Sequence, residues 1–474
     1  MIYKLYIFIF VGCFLDSFSQ DKTFNNWHFG ANYGLTFNTN PASILNGSAL
    51  ITLEGSSSIS DSLGNTLFYT DGVSVYDKNN ILMPNGFGLN GHSSSTQSAL
   101  IVKNPSKNNI YYIFTTSAEA GIGFIGCGCF SYSIVDLNLN NGNGDVTSKN
   151  ILLYNNTSEK LAGYNNQKDS VVWIVTHEYN TNNFYTYKVD SNGVNTTPVI
   201  SNCGIIGTLV QHPHSAIGQL KISPDGTKIA NCTYKYNIFE LYDFNDFTGV
   251  VSNALAINTN YYYNYGVEFS PNSKLLYVSN TEQNSYIMQY NLINYNVNAI
   301  LNSAIVIDHQ YTFSTPYGSL QLAPDGKIYI AKYNSAVIFL ISKPDVLGTG
   351  CQFGYPGIWI GPYSSRLGLP NHVAGYYKTT YVPPIEEPII EVCENYIIPN
   401  AITPNNDGIN DEFKITCDED IIEPQSLIIY NRWGEFVFNR DKGINNLNDV
   451  TDGVYFYTFK IDKISYKGFL NIFH

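Results

Sequence analysis

The sequence predicts an all-β protein, a β-propeller of about seven blades followed by a small antiparallel β-sandwich of the immunoglobulin-like type. Aromatic residues make up 15% of the 474 residues and charged residues only 13%, which favours strands and turns over helices. Apolar residues alternate over short stretches, and long runs with helical spacing are missing. A strand–turn–strand pattern also recurs along the chain as far as Thr380.

The N-terminal stretch MIYKLYIFIFVGCFLDSFSQ, which ends at Gln20, predicts a secretory signal peptide. It contains one Lys and an apolar run from Leu5 to Leu15 that is too short to span a bilayer. We expect cleavage after Gln20, and an alternative interpretation makes Cys13 the acylated residue of a lipoprotein signal. Later segments are not apolar for long enough to predict a transmembrane helix in the mature chain.

Residues 21–380 are predicted to form the propeller. Its clearest repeats are ISPDGTKIANC, FSPNSKLLYVS and LAPDGKIYIAK. Their prolines stand at positions 224, 271 and 324, with roughly equal spacing. Pro followed by Asp-Gly favours a tight reversal between two strands, and about four strands in this length are typical of one blade. Six copies are visible, and a seventh blade is expected from Asn26–Asn38 joining Arg366–Lys378; six or eight blades stay open.

The propeller sequence contains no catalytic constellation. The Ser-Pro-Asp-Gly turns recur where every blade needs a turn, so we interpret them as structural. Asp71, Glu240 and Asp308 are candidate carboxylates, but they are scattered along the chain. His212 and His214 could offer two imidazoles to a metal without further ligands nearby, and Cys127-Gly-Cys129 lacks the second pair of a zinc site.

Three stretches carry a first family resemblance: WHFGANYGLTFN, LFYTDGVSVYDKNNILMPNGFGLNGHSSSTQSALIVKNP and GLPNHV. They resemble the WD-repeat-like propellers found in secreted proteins of gliding-type Gram-negative bacteria. The resemblance implies a propeller fold and export, and it implies no catalytic activity.

The composition changes after the propeller. Residues 381–394 contain Pro383, Pro384 and Pro388 with four Glu, which predicts an extended acidic linker. Residues 395–474 contain short alternating strands in the number expected for a small sandwich. From Val382 onward there are 7 basic and 16 acidic residues, a net charge of −9 out of −13. Neither part has a basic stripe, so nucleic acid is not an expected partner.

Three segments of residues 395–474 carry a second resemblance: YIIPNAITPNNDGINDEFKI, LIIYNRWGEFVFN and DGVYFYTFKI with YKGFLNIF. They resemble the gliding-motility-associated C-terminal domain, the type B sorting domain of the type IX secretion system. The resemblance implies that the translocation machinery recognises this domain and carries the protein across the outer membrane, to be released or tethered at the surface. The matching motif residues are Pro404, Asp407, Gly408, Asn410, Asp411, Asn431, Arg432, Trp433 and Gly434.

Two motifs in this domain each have two interpretations. Asn405, Asp407, Asn410 and Asp411 could surround Ca²⁺ with side-chain oxygens, or they could form an Asx-type turn, which we favour. An EF-hand pattern is absent. The NRWG motif predicts a stacked pair of Arg432 and Trp433 in the sheet, or a surface that the secretion machinery reads, and the two are compatible.

The cysteine count predicts that at least one cysteine is unpaired or pairs between chains. Without Cys13 there are seven cysteines, and Cys393 and Cys417 flank the first motif and form the expected disulfide.

The leading functional hypothesis is an exported cell-surface or secreted protein whose propeller binds protein or glycan, or serves adhesion, without catalysis. The alternative is a secreted hydrolase or lyase that uses the central channel of the propeller. No cofactor is expected, apart from the calcium interpretation above.

Overall fold

The structure, a computed structural model, describes residues 21–119, 124–205, 214–281, 284–311, 315–354, 356–376, 396–417, 420–422, 426–439, 447, 450–461 and 464–474. These residues form two compact units, which divide after Tyr381. The predicted signal peptide and linker lie outside the described residues. None of the helices in the described ranges is long and apolar enough to cross a membrane.

The first unit consists of seven antiparallel sheets that follow one another along the chain. The first three sheets are formed by β1 (Asn26–Phe29), β2 (Ala31–Thr36) and β3 (Ser43–Ile51); β4 (Ser57–Ser60), β5 (Thr66–Thr70), β6 (Ser74–Asp77) and β7 (Leu82–Phe87); and β8 (Ala99–Lys103), β9 (Ile110–Glu119), β10 (Phe124–Asp136) and β11 (Asp145–Asn155). The fourth and fifth are formed by β12 (Thr157–Asn166), β13 (Val171–Glu178), β14 (Asn183–Asp190), β15 (Gly193–Val194) and β16 (Val199–Asn202); and β17 (Leu220–Ile222), β18 (Lys228–Cys232), β19 (Ile238–Phe244) and β20 (Val251–Asn258). The sixth and seventh are formed by β21 (Asn264–Phe269), β22 (Leu275–Asn280), β23 (Ser285–Asn291) and β24 (Ile305–Gln310); and β25 (Tyr317–Leu322), β26 (Ile328–Lys332), β27 (Val337–Ile341) and β28 (Ile358–Trp359).

The seven sheets close into a ring, so the predicted propeller is confirmed. Each sheet packs on the next through its first strands, and a shared core joins the seventh sheet to the first. In that core the rings of Trp27 and Tyr329 lie 5.6 Å apart at 73°. Strands β21 and β25 are buried along their whole length, whereas the outer strand β3 is partly exposed. This gradient follows because inner strands are covered by neighbouring sheets on both faces and outer strands meet solvent.

The proline-containing segments Ser223–Gly226, Ser270–Ser273 and Ala323–Gly326 form tight turns between the first two strands of their sheets. In the fifth sheet the Ser223 hydroxyl accepts hydrogen bonds from the N–H groups of Thr227 (3.2 Å) and Lys228 (2.9 Å). Gly226 has φ +73°, a conformation that favours glycine. The turn is therefore saturated by its own hydrogen bonds, as the structural interpretation predicts.

Helical structure is confined to short segments in the described ranges. These are the helix α1 (Val297–Asn302) and two 3₁₀ turns, Asn140–Gly142 and Gly348–Cys351. The side chain of Asn296 caps α1 by accepting a hydrogen bond from the N–H of Ala299 at 2.9 Å.

The prediction of which two segments form the seventh blade is wrong. Strands β1–β3 form a sheet by themselves, and residues 365–376 do not extend it. This stretch, which we call the channel segment, instead forms parallel bridges with Ser56 and Tyr164 on the inner sides of other sheets. Sequence similarity to a strand does not tell a blade strand from an extended segment that is surrounded by blades.

The second unit contains two sheets. Their strands are β29 (Tyr396–Ile397), β31 (Ile415–Cys417) and β32 (Asp420–Ile422) in the smaller sheet, and β30 (Ala401–Ile402), β33 (Ser426–Tyr430), β34 (Phe436–Asn439), β35 (Gly453–Ile461) and β36 (Ile464–Ile472) in the larger. Ile415 of the smaller sheet packs in one core with Leu427, Phe459 and Leu470 of the larger sheet. The unit is thus a small sandwich, antiparallel except for the pair β30–β36.

Candidate functional site

The channel segment fills the middle of the ring. Asn371 is 4% exposed, and its amide donates hydrogen bonds to the carbonyl oxygens of Leu161 (2.8 Å) and Ala99 (3.4 Å). The Ser57 hydroxyl donates to the Asn371 carbonyl oxygen at 2.9 Å. Further along, the N–H of Ala374 donates to the Gly163 carbonyl oxygen at 2.8 Å. One short stretch of chain is therefore hydrogen-bonded to the second, third and fourth sheets at once.

The space beside the channel segment is small. Lys221 forms an ion pair with Glu268 at 3.2 Å, and both line a cavity of about 30 Å³ together with Gln321 and His372. Such a cavity accommodates a water molecule but no sugar ring or peptide. Neither ring nitrogen of His372 has a protein partner among the described residues, so ordered water is expected there.

Buried carboxylates meet at one end of the ring, where loops connect each sheet to the next. Glu159 accepts hydrogen bonds from the N–H (2.7 Å) and the hydroxyl (2.6 Å) of Thr96, while Glu54 accepts one from the hydroxyl of Tyr265 at 3.0 Å. Burial raises the pKa of Glu159 to about 7. Burial, and then the nearby charge of Glu159, raise the pKa of Glu54 well above its usual value. These groups come from four different parts of the ring.

Further ionisable groups surround this pair. The N–H of Glu119 donates to Glu159 at 2.8 Å, and the Glu119 carboxylate lies 3.1 Å from Nδ1 of His214. The fully buried Lys160 donates to the carbonyl oxygens of Gly218 and Cys232, and burial lowers the pKa of Lys160 to about 8. We call Glu54, Glu119, Glu159, Lys160 and His214 the ionisable cluster.

Sequence reasoning missed this cluster, apart from His214. No motif links its members, because they are spread along the chain from Glu54 to His214. One signal was available: Glu159 and Lys160 interrupt an otherwise uncharged strand, and charged residues are rarely buried without a partner.

Tyrosine side chains lie at the same end of the ring. Tyr311 is 78% exposed and its ring lies 3.8 Å from that of His309, which stacks on Tyr286 at 4.0 Å and 5°. Tyr262, in the preceding connecting loop, is 54% exposed. These rings offer apolar faces and hydroxyl groups to solvent.

The carboxylates singled out from the sequence are not brought together. Asp71 accepts hydrogen bonds from the N–H groups of Val73 and Ser74 in its own turn. Glu240 accepts one from the Tyr242 hydroxyl at 2.5 Å, and Asp308 accepts one from Gln310 at 2.7 Å. The three belong to the second, fifth and sixth sheets, and each already has hydrogen-bond partners. Glu240 also accepts from the N–H of Ile205 at 2.7 Å, and Asp308 also accepts from the hydroxyl of Tyr317 in the seventh sheet. His212 lies outside the described residues.

In the second unit, the loop of residues 403–411 is organised around Asp411. Its carboxylate accepts hydrogen bonds from the N–H groups of Asn405 (3.0 Å), Asn406 (2.7 Å) and Gly408 (2.7 Å). Asp407 likewise accepts one from the N–H of Ile409 at 2.8 Å. This geometry is an Asx-type loop, in which the carboxylates already satisfy backbone donors. Calcium binding by these residues stays a prediction.

The NRWG motif forms the turn between β33 and β34. The Asn431 side-chain oxygen accepts hydrogen bonds from the N–H groups of Trp433 (2.9 Å) and Glu435 (3.0 Å), and Gly434 has φ +84°. The expected stacking of Arg432 on Trp433 is wrong: the two make no cation–π contact in this described turn, and Trp433 is 81% exposed. Tip residues of a two-stranded turn point away from the sheet, which explains the exposure.

The cysteines divide into bonded and free residues. Cys127 and Cys129 form a disulfide, a pairing that the sequence did not predict. Cys417 is disulfide-bonded, and Cys393, its expected partner, lies outside the described residues. Cys203, Cys232 and Cys351 are free.

Comparison with known proteins assigns the second unit. Residues 396–472 match the CHU_C family, described as a type IX secretion signal domain. No curated protein sequence matches the chain. Such a signal domain is recognised by the type IX secretion machinery and directs export across the outer membrane, to the cell surface or the extracellular space.

Solved structures similar to the chain have low identity. A candidate 6-phosphogluconolactonase of Bacteroides uniformis is 13% identical with a TM-score of 0.44, over 71% of this chain and 97% of its own. The periplasmic gluconolactonase of Pseudomonas aeruginosa is 11% identical with a TM-score of 0.39, over 60% of this chain and 79% of its own. Similarity at this level says nothing about activity. What the fold and the family match establish together is that this chain joins a β-propeller to a C-terminal type IX secretion signal domain of the CHU_C family.

Proposed function

We propose that the propeller is a non-catalytic binding module that holds a glycan, or else a protein, outside the cell. The filled centre of the ring carries this proposal. The cavity that Lys221, Gln321 and His372 line beside the channel segment is about 30 Å³, which is too small for a substrate. A ligand of useful size therefore binds on the rim of the ring.

The tyrosine-bearing end of the ring is the surface that we propose for the ligand. Tyr262 and Tyr311 present apolar ring faces with hydroxyl groups at their edges, a combination that suits the apolar and hydroxylated faces of a sugar. The nearby ionisable groups Asp308 and Lys332 are engaged with Gln310 inside the fold. The rings of Tyr262 and Tyr311 carry no charge themselves, which favours a neutral glycan as the ligand.

A glycan array probed with the exported full chain tests the proposal. Tyr311→Ala should reduce binding about tenfold or more, since a stacked ring contributes on the order of 1–2 kcal/mol. Phe247→Ala is the matched control, because Phe247 is equally exposed, at 76%, but lies in a loop at the opposite end of the ring. Binding to proteins but to no glycan would make the ligand a protein, and binding that Phe247→Ala removes would contradict the chosen surface.

The second candidate is a hydrolase or lyase, and the ionisable cluster favours it. Paired carboxylates are the groups that acid–base hydrolysis of glycosides uses, and burial raises the pKa of both Glu54 and Glu159. Glu54 and Glu159 are 8% and 1% exposed, however, so a substrate would have to reach groups that the fold covers. Turnover of any polysaccharide or peptide that Glu159→Gln abolishes would establish the enzyme and contradict the binding proposal.

A further inference from the structure

The disulfide of Cys127 and Cys129 lies where two strands separate. On one side of the disulfide, strands β9 and β10 pair as far as Phe130↔Thr116. On its other side, pairing resumes at Ile125↔Ala118. Four residues of β10 are thus unmatched by the partner strand, and both cysteines belong to this bulge. The two sulfurs are bonded within this bulge.

The disulfide contributes little to the stability of the fold. A disulfide restricts the unfolded chain in proportion to the logarithm of the loop that it closes, and one intervening residue is nearly the shortest loop possible. The flanking strands are also held by their own ladder of backbone hydrogen bonds. A role other than crosslinking is therefore the better explanation of the pair.

The two sulfurs have different surroundings. Cys127 is exposed and its Sγ lies 3.5 Å from the Ser117 hydroxyl, whereas Cys129 is 2% exposed. The Asn90 side-chain amide donates to Sγ of Cys129 at 3.3 Å and to the Ser131 hydroxyl at 3.2 Å. Because Cys127 is the exposed cysteine, we expect a nucleophile from solvent to attack its sulfur, and the Asn90 amide is placed to stabilise negative charge on the departing Cys129 sulfur.

We propose that Cys127–Cys129 is a thiol–disulfide exchange site, which oxidises accessible thiols outside the cell. A substrate thiolate attacks Sγ of Cys127 and forms a mixed disulfide, while the bond between the cysteines breaks and its electron pair goes to Sγ of Cys129. A second substrate thiolate then attacks the substrate sulfur of the mixed disulfide. The substrate leaves as its disulfide, and both cysteines remain as thiols after taking up two protons.

Reduction of the folded full chain by glutathione tests the proposal. We expect the Cys127–Cys129 bond to be reduced about tenfold faster than the disulfide at Cys417, which is the control within the same chain. Asn90→Ala should slow the first reaction and leave the second unchanged. The reaction is quenched with acid and the thiols are alkylated. Mass spectrometry of the peptides then gives the two rates. Equal rates for the two disulfides, or an unchanged rate in Asn90→Ala, would overturn the proposal.

Two cysteine variants test the order of attack. Cys129→Ser leaves an exposed thiol at Cys127 and should acquire one glutathione from glutathione disulfide, whereas Cys127→Ser leaves a buried thiol and should not. A reduced dithiol peptide, offered to the unmodified chain, should become oxidised in equal amount to the protein disulfide lost. Modification of both variants alike would contradict the asymmetry, and failure of the peptide to become oxidised would contradict the exchange reaction with thiols of proteins. None of these outcomes depends on the glycan proposal.

Discussion

At the scale of single residues, burial of neutral histidines links the stability of the propeller to pH. His28 is 3% exposed and stacks on Tyr69 at 3.9 Å and 1°. Burial lowers the pKa of His28 to about 3, and burial with the nearby Lys160 does the same for His177. Both imidazoles must stay neutral in the folded state, whereas the unfolded chain binds protons below about pH 6.5.

Acid should therefore destabilise the propeller through these histidines. Their stabilisation is complete above about pH 6.5 and is lost as the pH falls towards 3, at about 1.4 kcal/mol per pH unit for each. His28→Phe keeps the stacking on Tyr69 and removes the proton site. Between pH 7.5 and 5.0 its free energy of unfolding should fall by about 2 kcal/mol less than that of the unaltered protein. Chemical denaturation at both pH values measures this, and equal losses would contradict it.

A second residue-scale prediction concerns the sorting domain. Asp411→Ala removes the acceptor of three backbone N–H groups and should disorder the loop of residues 403–411. If the secretion machinery recognises this folded loop, the exported fraction of the protein should fall severalfold. Glu412→Ala is the matched control, because Glu412 is an adjacent exposed carboxylate in a surface ion pair with Lys414. Immunoblots of cell-surface and periplasmic fractions give the ratio of exported to retained protein. Equal export of both variants would argue against recognition of this loop by the secretion machinery.

At the scale of elements, the channel segment takes the place that solvent or a ligand occupies in an open ring. Its residues form hydrogen bonds with backbone groups at the free edges of the inner strands, as the bonds from Asn371 to Leu161 and Ala99 illustrate. The segment also depends on close approach: a Cβ atom on Gly368 would lie 1.8 Å from the Glu54 carbonyl oxygen. The ring and the segment are therefore one folding unit.

Removing the side-chain amide of Asn371, in the channel segment, should destabilise the whole ring. Asn371→Ala leaves two buried carbonyl oxygens without this donor, and we expect a loss of about 2–3 kcal/mol in the free energy of unfolding. Asn79→Ala, at an exposed amide, should change the same quantity by less than about 0.5 kcal/mol. Urea denaturation followed by tryptophan fluorescence measures both, and similar small losses would mean that water replaces the Asn371 amide.

At the scale of the whole molecule, we expect export to depend on residues 395–474 and folding of the propeller to depend on the channel segment. Deleting residues 395–474 removes the CHU_C domain but leaves the channel segment in place. The propeller should then fold, remain in the periplasm and be recovered there intact. Ending the chain at residue 364 also removes the channel segment, and the product should be degraded. Protease resistance and cell fractionation separate the two cases; appearance of the first product outside the cell would contradict the export role.

Much of this molecule could be predicted because its signals are local. The turn at Ser223–Gly226 requires only neighbouring residues, and the NRWG hairpin and the loop around Asp411 are likewise formed within short stretches of chain. The repeat of such turns predicted the blades, and the resemblance carried by the C-terminal region from Asn395 onward predicted the secretion signal.

The sequence by itself thus determined the strands, the turns, the repeated sheets and the export signal, since each depends on residues close together along the chain. Only the tertiary structure decided that residues 365–376 fill the ring, that Glu54 and Glu159 meet, and that Trp433 is exposed. The Ser57–Asn371 hydrogen bond spans 314 residues. Contacts of that kind form when a ring closes in space, and spacing along the chain carries no record of them.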